Sequence, residues 1–407
     1  MRMSKKKEIV PKLRFPEFSK SYWGITRLNA LADKITERNK GNDISRVFTN
    51  SATEGVVDQE EYFDRDIANK NNLTNYFVVE KGDYVYNPRI STTAPVGPIS
   101  KNKLGIGVMS PLYSVFRFRN KENDFYEHFF LTNLWHAYIK NLSNTGARHD
   151  RITISVDNFM KMPLPYTSPE EEQKIADCLS SIDELIDAES RKLKALEKYK
   201  KGLMQKLVPA EGKTLPEWRF PEFRGKREWR IKPLGKICTN YDSRRIPITE
   251  KDRVKGEIPY IGASGVIDYI NDFIFDEDLL CVSEDGANLV ARTYPIAFSI
   301  SGKTWVNNHA HVLKFSHKYT QDIVESYLNM INLQDFLTGM AQPKLNRAKL
   351  DIIPIPLPEE EEQQKIADCL VEIDTMITEQ SNKVEHLKAH KKGLMQGLFP
   401  SLEEADV

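Results

Sequence analysis

Four groups of residues have the types and spacing that chemistry needs. His309 and His311 form an H-x-H pair. On a β-strand, where side chains alternate between faces, both rings point the same way, as two ligands of one metal ion would. "AFSISGKT" (297–304) fits a permissive phosphate-binding loop, A-x-x-x-x-G-K-T. "SEDG" (283–286) sets two carboxylates side by side. Cys178 and Cys369 each hold the sixth place of one heptapeptide, "QKIADCL", found at 173–179 and again at 364–370.

Each group fails on what must position it. No further His, Cys or acidic ligand set accompanies the histidine pair, so no metal is expected. A phosphate loop must run into a helix N-terminus, whose unpaired N–H groups hold the phosphates. Here "WVNNHAHVLKF" follows, which reads as strand and turn. "SEDG" has no supporting base or nucleophile pattern and reads as a tight turn or a DNA-facing loop. "YNPRI" (86–90) lacks the second proline of the methyltransferase N-P-P tetrapeptide, and no glycine-rich cofactor loop accompanies it. The chain is therefore expected to have no catalytic residues and to bind no cofactor or metal itself.

The heptapeptide belongs to something larger. Residues 163–209 align without gaps to 354–400, and 25 of the 47 positions are identical. A weaker echo precedes each block: "PKLRFPEF" followed by Trp23, and "PEWRFPEF" followed by Trp229. The chain is internally duplicated. Each 47-residue unit reads as one long helix, with Pro169 or Pro358 at its start and acidic residues at the positive end of the dipole. Apolar residues follow with coiled-coil spacing: Ile175, Leu179, Ile182, Ile186, Leu193 and Leu196, matched by Ile366, Leu370, Ile373, Ile377, Val384 and Leu387. Polar residues interrupt both stripes at matched places, Glu189 and Lys200 in the first, Gln380 and Lys391 in the second. Such residues cost stability and fix register and partner. Two independent amphipathic helices are one reading. Two helices that pair with each other, forming a rod between two domains, are the other.

The stretches between the repeats are similar in size and unlike in sequence, and both read as α+β. "YFVVEKGDYVYNP" and "YSVFRFRN" look like strands in the first, as do "IPYIGASGVIDYIND", "LLCVSEDG" and "WVNNHAHVLKF" in the second. "FYEHFFLTNLWHAYIKNL" and "QDIVESYLNMINLQDFLTG" have helical spacing at corresponding places. A polar loop follows each, "SNTGARHDRITIS" and "GMAQPKLNRAKL", rich in side chains that reach phosphates and base edges. The expected organisation is 1–162, lead and first globular domain; 163–209, first helix; 210–353, second lead and domain; 354–407, second helix and tail.

Net charge is zero over 407 residues. Residues 1–162 carry a surplus of seven positive charges and 354–407 a surplus of seven negative ones. A whole-domain basic signature for nucleic acid is absent, so any grip on DNA must come from local patches or a partner. No apolar run is long enough for a bilayer, the N-terminus lacks the apolar core of a signal peptide, and four scattered cysteines give no disulfide framework. A cytoplasmic, non-membrane protein is expected.

The duplicated "EEQKIADCL…ID…KKGLMQ.L.P" helix, the "RFPEF" leads and the two dissimilar blocks together resemble a type I restriction–modification specificity subunit, over essentially the whole chain. "KGDYVYNPRISTTAPVGPIS" with "MSPLYSVFRF" is similar to one type of target recognition domain in that family, and "IPYIGASGVIDYI", "SEDGANL" and "WVNNHAHVL" to another. The resemblance implies two target recognition domains separated by two long helices pairing as an antiparallel coiled coil, with a pseudo-two-fold internal repeat. It implies a non-catalytic subunit that binds double-stranded DNA at an asymmetric bipartite site. It also implies that the helices set the spacing and dock two methyltransferase subunits, with restriction–translocase subunits joining through the complex. Those partners bring S-adenosylmethionine, ATP and Mg. Polarity and resemblance mark the DNA-contact candidates: Arg89, Ser91, Thr92, Arg148, His149 and Arg151 in the first block. In the second they are Glu284, Asn288, Lys303, Asn307, His309, Gln342, Lys344, Asn346 and Arg347. A coiled-coil scaffold carrying two protein-binding domains is the rival from another class.

Overall fold

The computed structural model describes residues 9–62, 73–142, 144–145, 150–339 and 342–402. Arg148 and His149 therefore lie outside the described residues. The chain divides into two units, Met1–Ala188 with Lys383–Val407, and Glu189–Asn382.

In the first unit, one sheet runs in the order Ala32–Lys34, Ser114–Phe118, Tyr84–Tyr86, Ile99–Lys101. A second runs Gly55–Asp58, Val47–Ser51, Gly107–Met109, Phe77–Val79. In the second unit the sheets are Thr239–Asn240, Ala310–Lys314, Leu279–Ser283, Ala297–Ile300 and Gly265–Ile270, Lys255–Gly262, Lys303–Val306, Phe275–Asp276. Numbered along the chain, the strands of these sheets have the same spatial order in both units: first, eighth, fifth, sixth, then third, second, seventh, fourth. Among the described residues, even the one parallel pairing in each unit falls between the same two strands, the second and the seventh. The duplication thus runs through the blocks that look unrelated in sequence.

The reason they look unrelated is in the cores. The first is built on aromatic rings, with Tyr84, Phe116, Phe118 and Phe130 edge to face or stacked at 5.1–6.0 Å and Tyr86 stacked on Phe159 at 4.7 Å. The second is largely aliphatic: Leu280, Val282, Leu289, Leu313, Ile323, Val324 and Leu328 are all buried. A frame accepts either filling provided total volume and patterning are kept. The helical stretch after the first sheet breaks into Asp124–Phe130 and His136–Leu142. Thr132 Oγ1 and Trp135 Nε1 donate to the Phe129 and Phe130 carbonyls at the break. Its counterpart is Lys318–Met330.

The "RFPEF" leads brace the long helices, Pro169–Leu207 and Glu360–Leu398. Arg14 grips Glu171 with two nitrogens, at 2.8 and 2.9 Å, and Arg219 grips Glu362 at 2.7 Å twice. The two glutamates are repeat equivalents, and their side chains are 1% and 2% exposed. After each lead, a strand pairs antiparallel with the one that enters the helix: Gly24–Arg27 with Pro163–Tyr166, Arg230–Pro233 with Pro354–Leu357.

The helices run antiparallel. In the first unit Ile175 and Leu179 share a core with Met395, Leu398 and Phe399. In the second, Ile366 and Leu370 share one with Leu207 and Val208. Ile373 and Val384 are buried; Ile182, Ile186, Leu193, Leu196, Ile377 and Leu387 are half-buried. Every polar interruption of the stripes has a partner on the other helix. Lys391 meets Asp183 in the first unit at 2.6 Å, and Lys200 meets Asp374 in the second at 2.6 Å. These are the same pair written twice, because Asp183 and Lys200 are the repeat equivalents of Asp374 and Lys391. Gln380 Nε2 donates to the Glu189 carboxylate at 2.7 Å and to its backbone carbonyl at 3.0 Å. Glu189 and Gln380 are each other's repeat equivalents, so at this point the seam pairs a position with its own counterpart. Replacing Gln380 by Glu sets two carboxylates against each other. Unfolding measurements should show a loss of about 1–3 kcal/mol at neutral pH that shrinks in acid. The double swap E189Q/Q380E should recover most of it, because at two repeat-equivalent positions facing each other donor and acceptor can exchange sides.

Candidate nucleic-acid interface

In both units the fifth strand runs out of its sheet into a loop that pairs with the segment before a short helix. In the first unit Tyr84–Tyr86 continues into Asn87–Ile90. Ile90 N–H donates to the Asp150 carbonyl at 3.0 Å and Ile152 N–H to the Pro88 carbonyl at 2.9 Å, so Arg89 bridges Arg151. In the second, Leu279–Ser283 continues into Glu284–Gly286. Leu345 N–H donates to the Glu284 carbonyl at 2.8 Å and Gly286 N–H to the Pro343 carbonyl at 3.1 Å, so Asp285 bridges Lys344. Residues chosen from polarity and resemblance in separate stretches of sequence therefore meet, at one topological position, in each unit.

The first rim presents Arg89, Ser91 and Thr92, all exposed, with Arg151 half-buried. Ser91 Oγ accepts the Ala94 N–H at 3.0 Å, closing a turn. Asn87 carries the loop: its Nδ2 donates to the Asn50 carbonyl at 2.8 Å and its Oδ1 accepts the Arg89 N–H at 3.0 Å. Gly97 packs against it with φ +80°, and a Cβ there would lie 2.0 Å from the Asn87 oxygen.

The second rim sorts into presented and supporting side chains. Gln342, Lys344 and His309 are exposed. His309 Nδ1 lies 2.9 and 3.0 Å from the two Asp285 oxygens. Asn307, by contrast, is buried and accepts the His309 N–H with its side chain. Asn288 bonds the Tyr294 backbone through both side-chain ends. Asn346 caps the short helix Arg347–Asp351 by accepting the Lys349 N–H, and Arg347 lies 3.6 Å from Asp351. Lys303 opens a strand, its ammonium 4.7 Å from the centre of the Phe273 ring. The "SGKT" segment thus runs into a strand and offers no helix N-terminus.

Beneath this rim lies a charged network that joins His311, Glu284 and Lys344 to Asp242 and Arg245, two residues absent from the sequence reading. His311, 1% exposed, points Nδ1 at Asp242 (2.6 Å) and Nε2 at the Leu345 carbonyl (2.7 Å). Arg245 bonds Glu284 at 2.7 Å and the Ala310 carbonyl at 2.7 Å, and Glu284 also pairs with Lys344 at 3.2 Å. Asp242, Glu284 and His311 offer three ligand-type atoms within 4.8 Å of one another. Arg245 supplies the positive charge there, and every one of these groups has a protein partner, so the cluster reads as a support for the loop. Burial pushes the Asp242 carboxyl up, but His311, the Val312 N–H and Arg245 together hold it below the usual carboxylate range. Glu284 is likewise held low, burial being outweighed by Arg245, His311 and Lys344. His309 and His311 do not form one site: one faces solvent beside Asp285 and the other is buried beside Asp242. Two of the thiols are likewise unsuited to nucleophilic chemistry, since burial pushes Cys238 up to about 12 and Cys281 higher still.

Arg245→Met removes the counter-charge from two nearly buried carboxylates and should cost about 3–5 kcal/mol at neutral pH. Both groups have depressed folded values, so what they contribute is present above the ordinary carboxylate pKa near 4 and lost as pH falls through the lowered values. Unfolding curves should therefore show the difference between variant and wild type shrinking below about pH 4.

Comparison with known proteins agrees with this geometry. The family model for the type I restriction modification DNA specificity domain matches residues 29–198 and again 226–386. A putative type I restriction enzyme specificity subunit of Haemophilus influenzae is 34% identical over 152 residues, covering 37% of this chain and 38% of that one. The MjaVIII specificity subunit of Methanocaldococcus jannaschii is 26% identical over 324 residues, 72% of this chain and 73% of the relative. Among solved structures, the S subunit of a type I system from M. genitalium superimposes with a TM-score of 0.58 at 13% identity, covering 97% of this chain and all of that one. A chain from a structure of type I R-M complex assembly gives 0.55 at 15% identity, over 92% and 97%.

Proposed function

The chain belongs to the type I restriction modification DNA specificity family, and from that premise we propose that its two units read the two halves of a bipartite double-stranded DNA target. The observation that carries this is the pair of rims. They occupy one topological position on one strand order, yet present different side chains: Arg89, Ser91, Thr92 and Arg151 in one unit, His309, Gln342 and Lys344 in the other. Equal frames with unequal readers imply an asymmetric target. The side chains are of the kinds that reach phosphates and base edges.

The seam helices carry the rest of the reading. An antiparallel, self-complementary pairing suits a ruler that fixes the gap between half-sites, and each 39-residue helix is roughly 58 Å long. Leu185 and Met376 are repeat equivalents that both stay exposed, at 43% and 49%. They suit the docking of two like partners, the methyltransferase subunits, with restriction–translocase subunits joining through the complex. Those partners bring S-adenosylmethionine, ATP and Mg and do the chemistry in the cytoplasm; this chain catalyses nothing. Near-neutral overall charge fits a subunit whose partners supply part of the phosphate contact.

Binding of the methyltransferase–specificity complex to duplex DNA tests the reading. Affinity should fall steeply with salt, and Arg89→Ala should weaken the complex by about 1–3 kcal/mol if Arg89 meets a base edge. Binding that is absent at every salt concentration would favour a protein-binding scaffold instead. Matched insertions in both seam helices should change the tolerated gap while leaving both half-sites as they were, as read by the same binding assay on targets of graded gap.

A further inference from the structure

His309 is fixed more firmly than an exposed side chain needs to be. Its N–H is held by Asn307 Oδ1 at 2.8 Å, and its carbonyl accepts the Glu284 N–H at 2.9 Å. Its Nδ1 faces both oxygens of Asp285, itself only 19% exposed. Asp285 is in turn tied through its backbone to Lys344. Three segments of chain thus orient one ring that is 52% exposed. Among the described residues, Nε2 has no protein partner. An exposed His–Asp pair adds little stability on its own. What this arrangement does provide is a preorganised polar atom whose direction is set before anything binds.

We infer that His309 is a specificity-determining residue of the second unit, reading the exocyclic amino group of an adenine or cytosine through Nε2. In the tautomer in which Asp285 accepts the Nδ1 hydrogen, the ring's lone pair lies on Nε2, which is then an acceptor. In the major groove the donors are adenine N6 and cytosine N4, and an acceptor on the protein selects where such an amino group must stand. Lys344, beside it, is donor-only and suits phosphate or guanine. The rim then sets an acceptor next to a donor, which a pure phosphate grip does not require. Asp285 is a positioning residue, since it acts through the ring. This inference rests on the DNA-reading role proposed above and adds the chemistry of one contact.

The test uses the complex of the full chain with its methyltransferase subunits, and target duplexes from which single amino groups are deleted: purine in place of adenine, or a pyrimidin-2-one in place of cytosine, one position at a time. At one position in one half-site, the deletion should weaken wild-type binding roughly 5- to 150-fold and leave His309→Ala binding unaffected. Asp285→Ala, which keeps the ring and frees its orientation, should lower the same penalty partway without touching the other half-site. If every deletion affects wild type and His309→Ala equally, the inference is overturned while the DNA-reading role stands. The inference is also overturned if His309→Ala weakens all duplexes uniformly and Asp285→Ala leaves every penalty intact, because that is the behaviour of a phosphate contact. If wild type binds no bipartite duplex at all, the DNA-reading role itself fails.

Discussion

The hydrogen bonds from Gln380 to Glu189 hold the two long helices in one register. When two copies of one helical sequence pair antiparallel, there is one place where a position faces its own equivalent, and here it is this pair. A symmetric choice would be poor at that point: two glutamates repel, and two glutamines give up the charge-assisted bond. The duplicated sequence departs from its own repeat where symmetry would cost most. On either side, Asp183–Lys391 and Asp374–Lys200 repeat a single contact in the two units. Polar seam residues of this sort specify a partner and a register at some cost in stability.

From that seam the same frame is reached twice. The bidentate Arg14–Glu171 and Arg219–Glu362 pairs anchor the leads to the helix starts, and the ribbon after each lead hands the chain to its sheets. The carboxylates are buried, so each arginine is needed chiefly because its loss would strand a charge. On this frame the fifth strand and the segment before the short helix always meet, and what they present is free to differ. Rigidity sits below the rim, in Asn87 with Gly97 in one unit and in Asp242, Arg245, Glu284 and His311 in the other. Loops on a fixed scaffold are where recognition can vary without disturbing the fold.

Much of this was legible in the sequence, for identifiable reasons. The repeat and its seam showed because helical spacing of apolar residues survives duplication, and because Glu189, Lys200, Gln380 and Lys391 broke the stripes at matched places. Which of them would meet depended on the direction of pairing, which periodicity alone leaves open. The common strand order was not legible by comparing the two blocks with each other: one core is filled with aromatic rings and the other with branched aliphatics, so few core residues coincide. The rim loops stood out as polar loops at corresponding places, but not the division of labour within them. Asn346 as a helix cap had a local signal, an Asn just before "RAKLD". Asp242 had none, because 69 residues separate it from the His311 it bonds.

The account rests on one frame used twice, with different readers, across a seam of fixed register. Mapping methylated adenines across a genome that carries the complete system tests that most directly. It predicts one bipartite motif with two unlike halves and a single gap length. A palindromic motif, a continuous one, or unlike halves found at many different gaps would contradict it.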